Sequence, residues 1–139
     1  MHKNTDMKFP KEVQSIIEQV KREADIISIW FIGSRANNTH NLESDWDFIC
    51  FFNRSIQEHK QRSKMVDIIQ VGNDDKYLLE GQSVKMEGDF SKWNWRQVDS
   101  NSSQYISRKV PELEPGVPHN LDDVRYVSNK ALKVWQANA

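Results

Sequence analysis

The chain has 139 residues, enough for one domain with a real core and too few to split comfortably into two. A mean hydropathy of −0.76 and a 37% hydrophobic share are low, yet 10% aromatic residues and several long apolar runs exclude wholesale disorder. A formal charge of −1 and a pI near 6.4 exclude a global basic field of the kind that gathers nucleic acid.

Residues 1–8 are polar and expected to be disordered, and the whole of 1–139 reads as a single domain without repeats or a domain boundary. From Pro10, the apolar positions Val13, Ile16, Ile17, Val20 and Ala24 recur at helical spacing, which predicts a helix over 10–24. Ile26 to Ile32 is rich in β-branched and aromatic residues and predicts a buried strand, ended by Gly33-Ser34. Residues 34–38 suit a short helical turn. Trp46 to Phe52 predicts a second strand, apolar on both faces beyond its first residues.

The polar stretch 54–63 reads as a loop or short helix, and Met65 to Val71 as a third strand with Asp67 its one charged interruption. "GNDDK" at 72–76 is a turn by composition. Residues 77–79 and 83–86 suit further short strands, as do Trp93 to Trp95 and Gln104 to Lys109. "VPELEPGVPHN" carries three prolines and predicts a loop. Val124, Val127, Ala131, Leu132 and Trp135 then fall at helical spacing, predicting a last helix with Asn120 as its cap.

The single cysteine, Cys50, lies in an apolar run and suits a buried thiol in a reducing compartment. No apolar stretch approaches the ~20 residues of a membrane span, and the N-terminus lacks the core of a signal peptide, so the expected location is cytoplasmic. The four histidines show no metal-ligand spacing.

The chemistry concentrates in "GSRANNTHNLESDWDFICFF", Gly33 to Phe52. Residues i and i+2 of a strand point the same way, so Asp45 and Asp47 project together from one face. Like charges that close call for a cation, and hard divalent ions take carboxylate and phosphate oxygens. Gly33-Ser34 opens a turn whose N–H groups and hydroxyl suit a phosphate, and Arg35 adds a planar cation. An acidic strand entry that only marks a turn is the plain alternative. For Arg35 it is a surface pairing with Glu43, and for Trp46, Trp93 and Trp95 it is packing in the core.

Gly-Ser after a strand, then Ser44-Asp45-x-Asp47 opening the next, resembles the signature of the DNA polymerase β nucleotidyltransferase superfamily, in its minimal branch. Asn38 stands where relatives often carry a second glycine. The resemblance implies an α/β (α+β) fold: a mixed sheet with packed helices and the site at the strand mouths. It implies a third carboxylate on the next strand, which Asp67 in "MVDIIQV" supplies; Glu87 and Asp89 in "MEGDF" are the rival source, since the connection from Asn53 is shorter than usual. Asp45, Asp47 and Asp67 would then hold Mg²⁺ or Mn²⁺ and carry catalysis, with Gly33, Ser34, Arg35 and Ser44 on the nucleotide. The implied reaction is transfer of a nucleoside monophosphate from a triphosphate, ATP foremost, to an acceptor hydroxyl on a protein, an RNA end or a small molecule. Two other functions stay open: an inactive module of this fold that binds a toxin or assembles with itself, and a metal-dependent phosphohydrolase.

Overall fold

The computed structural model describes residues 8–37, 45–57, 63–80, 85–109 and 125–138. The predicted first helix is α1, Lys11–Lys21, entered through Pro10, whose carbonyl accepts from the Gln14 N–H at 2.9 Å. It buries Val13, Ile16, Ile17 and Val20 and leaves its polar face outward. The two central strands run where the apolar runs predict them: β1 is Ile26–Ile32 and β2 is Trp46–Phe52. A single turn, α2, spans Gly33–Ala36 between them. Then come β3 (Val66–Val71), β4 (Lys76–Glu80), β5 (Lys85–Asp89), β6 (Arg96–Gln97), β7 (Ser102–Lys109) and β8 (Arg125–Gln136).

These strands form one eight-stranded sheet in the order β5-β4-β3-β2-β1-β8-β7-β6. The β2–β3 pair is parallel and the other pairings are antiparallel. Alternation along the central strands sends side chains into two cores. On one face α1 covers Ile29, Phe31, Phe48 and Cys50. On the other, Trp30, Ile32, Ile49, Phe90, Tyr105 and Ala131 pack together with the half-buried Phe51, Tyr77, Trp93 and Trp95.

Expectations for two segments are corrected. The helix expected near the C-terminus is strand β8, paired along one edge with β1 and along the other with β7. Its apolar residues serve both cores, Ala131 on one face and Leu132 and Val134 on the other. The register against β1 slips by one residue between Lys133 and Trp135, a bulge that brings Trp135 to the same core as Val134. Two-sided burial plus that bulge breaks the alternation of a strand and imitates a helical repeat. The sheet is therefore dominated by strands, with α1 as its one substantial helix among the described residues. Trp93 to Trp95 is not a strand either: Phe90–Trp93 is a 3₁₀ helix, and Asn94, at φ 51°, turns the chain sharply before β6. Residues 54–57, within the stretch read as a loop or short helix, are loop, and Arg54 ties the chain back, donating to the Ala24 carbonyl at 2.6 Å with its guanidinium 4.4 Å from the centroid of the Phe52 ring. The proposed Asn120 cap and the Pro-rich loop lie outside the described residues.

Candidate active site

Asp47 is the second residue of β2, opposite Ile32 of β1 and in register with Asp67 of the parallel strand β3. Parity fixes their direction. Trp46, Phe48 and Cys50 go to the α1 side, as do Val66 and Ile68, so Asp47 and Asp67 emerge on the opposite face with Ile49 and Ile69. Asp45, exposed at the entry to β2, shares their parity.

The electrostatics tie the three together. The Asp47 carboxyl is pushed up from 3.8 to about 7, first by burial, then by the charges of Asp67 and Asp45, and by a hydrogen bond with Asp67. Every one of these influences acts in the same direction. A hydrogen bond between two carboxyl groups requires one of them to keep its proton, so the pair holds a proton near neutrality. Three hard oxygen donors brought to one strand mouth fit a divalent cation in chemistry and in charge. They do not form a ready-made cage: among the described residues no group of three or more His, Cys, Asp or Glu side chains is already arranged around a metal position.

Gly33 closes the site from the end of β1. Its φ of +83° is one that side chains rarely adopt, and a Cβ there would overlap Oδ2 of Asp47 and lie 3.1 Å from its Cβ and Cγ. Glycine is needed twice over, for the turn and for the approach. The Gly33 N–H donates to the Tyr105 hydroxyl at 3.3 Å, and the Gly33 carbonyl accepts from the Asn37 backbone at 3.1 Å and its Nδ2 at 2.9 Å. Asn37 also reaches across to β8, where its Oδ1 accepts from the Lys130 N–H at 2.9 Å and its Nδ2 donates to the Lys130 carbonyl at 3.3 Å.

Of the residues read from the sequence, Asp45, Asp47, Asp67 and Gly33 meet at one strand mouth. Ser34 contributes backbone to α2, while its side chain, Ser44 and Glu43 lie outside what is described, as do Asn38 and all four histidines. The Arg35 guanidinium lies 4.2 Å from the centroid of the Trp46 ring, and Trp46 packs against Phe9 and Phe31 on the α1 side. The rival acids sit elsewhere, on β5, with β4 between them and β3. Asp89 pairs there with Lys76, whose hydrogen bond and charge hold its carboxyl below the usual range, and Glu87 is exposed. Trp93 and Trp95 pack in the core around Phe90 and Tyr105 rather than forming a strand wall.

Sequence reasoning missed Tyr105 and Asn37. Tyr105 lies 72 residues from its partner Gly33, and only its place as the one aromatic in "SSQYISRK" hints at an inward direction. Asn37 sat beside Asn38 in plain view, with nothing local to separate their roles.

Residues 14–97, more than half of the chain, match the family described as polymerase beta, nucleotidyltransferase. The chain belongs to this family. No characterised protein and no solved structure matches it. The matched region runs from within α1 to the end of β6, so it includes Gly33, Asp45, Asp47 and Asp67 and stops before β7, β8 and Tyr105. Family membership supports a general nucleotidyltransferase activity, an activity for which divalent metal is typical. Among the described residues, no helix of this nucleotidyltransferase domain is long and apolar enough to cross a membrane.

Proposed function

We propose that this domain transfers a nucleoside monophosphate from a nucleoside triphosphate, ATP foremost, to an acceptor hydroxyl. The observation that carries the reading is the in-register Asp47–Asp67 pair, pressed against Gly33 and joined by Asp45. Asp45, Asp47 and Asp67 would hold Mg²⁺ or Mn²⁺, which when bound supplies positive charge to the oxygens of the reacting phosphate. Gly33 and the Ser34 turn would face the triphosphate, with Ser44 as a further nucleotide contact, while Arg35, stacked on Trp46 at the α1 side, is left out of that set. Asp67, in register with Asp47 on the parallel strand, would take the proton of the acceptor hydroxyl as that oxygen attacks the α-phosphate and pyrophosphate leaves. The rest of the work is positioning, which the sheet does.

The test is incubation of the pure protein and a cell extract with ATP labelled at the α-phosphate, with Mg²⁺ and with EDTA. Label should pass covalently to an acceptor only with the metal, and Asp47→Asn should lose the transfer by at least about a hundredfold. Transfer of label from ATP labelled at the γ-phosphate in place of the α-phosphate, or transfer that survives Asp47→Asn, would sink this reading. Release of free nucleotide without a labelled acceptor would favour the phosphohydrolase.

A further inference from the structure

Tyr105 lies beyond the matched family region, three strands from Asp47 across the sheet, yet its hydroxyl reaches the Gly33 N–H. The ring is 6% exposed and clamped by Trp93 and Trp95, with centroids 5.5 and 6.2 Å away. Trp95 is held in turn against Trp30, Phe51 and Phe90. A phenol fixed by so many rings delivers its oxygen to one place. That place is the amide of the one glycine whose missing side chain lets Asp47 come close.

We propose that Tyr105 is a positioning residue of the nucleotidyltransferase site: its hydroxyl holds the Gly33 peptide, and through it the Asp47 carboxylate, where a metal-bound triphosphate requires them. This rests on the functional reading above. Gly33 is anchored in both of its flanking peptide groups, through its N–H by Tyr105 and through its carbonyl by Asn37. Remove the hydroxyl and the N–H end is released, while the ring and its packing stay. The peptide then gains freedom to rotate toward or away from Asp47, and a carboxylate without a fixed neighbour binds a cation in a less defined geometry. Burial pushes the phenol above its ordinary range, against the opposing bond from the Gly33 N–H and with a smaller push from the Asp47 charge, so the hydroxyl stays neutral beside the carboxylate.

The experiment compares wild type, Tyr105→Phe and Tyr105→Leu by ATP affinity with Mg²⁺ and with EDTA, by melting temperature, and by hydrogen exchange at the Gly33 amide. Tyr105→Phe should melt within about two degrees of wild type, because the ring packing survives. Its Gly33 amide should exchange at least about tenfold faster, and the gain in ATP affinity that Mg²⁺ confers should shrink about tenfold. ATP affinity in EDTA should not move, which separates positioning from general loosening of the fold. Tyr105→Leu, which also removes the ring, should melt clearly lower.

A Tyr105→Phe variant that keeps the full Mg²⁺-dependent gain would overturn the inference and leave the functional reading intact. One that melts as low as Tyr105→Leu would also overturn it, making the hydroxyl purely structural. Wild-type protein that gains nothing from Mg²⁺ would overturn the functional reading, and the role of Tyr105 would fall with it.

Discussion

Asp47 carries a cost that shows up as pH dependence. In the unfolded chain its carboxyl loses its proton near the ordinary 3.8, whereas in the folded state it holds on to about 7. Between those values the native state binds more protons than the unfolded one, so stability falls as pH rises through this window. Below it both states are protonated and the penalty vanishes; above it the penalty is complete, on the order of a few kcal/mol. Asp47→Asn should therefore flatten this slope and melt several degrees above wild type at pH 8 without metal. Mg²⁺ should stabilise wild type more at pH 8 than at pH 5, because the cation needs the ionised carboxyls. Melting curves across pH, with and without Mg²⁺, read both; a wild type that is equally stable at pH 5 and pH 8 would contradict the assignment.

Among the elements, β1 and β2 were legible because apolar runs buried on both faces leave strands few alternatives. The directions of Asp45 and Asp47 followed from parity alone, and Asp67 announced itself as a charge in an otherwise apolar strand. Elements that depend on distant partners were not legible. The bulge at Val134 is set by β1, about a hundred residues earlier, and turns a strand pattern into an apparent helix. The 3₁₀ helix at Phe90–Trp93 is shaped by the aromatic cluster that it covers, not by local spacing. Asn37 is an example at the join of two elements, since it bonds α2 to a β8 backbone 93 residues away. Asn37→Ala removes three side-chain hydrogen bonds at a partly exposed position, and should cost roughly 1–2 kcal/mol. Urea unfolding measures this directly; an unchanged midpoint would mean that water replaces the amide without loss.

At the scale of the whole molecule, the family match and the sheet do not share a boundary. The match ends at residue 97, but β1, at the centre of the sheet, has β8 along one side. A chain ending at residue 97 would leave the β1 edge open and strip Tyr105 and Ala131 from the core that holds Trp30 and Ile32. Such a fragment is expected to aggregate or lack a cooperative melt, whereas the full chain should unfold in one transition. Circular dichroism with size-exclusion chromatography distinguishes the outcomes, and a soluble, cooperatively melting fragment would show that β7 and β8 are an accessory.

The parallel pairing of β2 with β3 also divides the labour within the site. Six successive residue pairs hold these strands in register, so the spacing of Asp47 and Asp67 is as stiff as the sheet itself. Asp45 stands just before that ladder, exposed and free of its constraint. A smaller or larger cation would meet two immovable oxygen donors and one compliant one. On the proposed reading, tolerance among metal ions would rest with the single residue at the strand entry, and the sheet would set only the frame in which that tolerance operates.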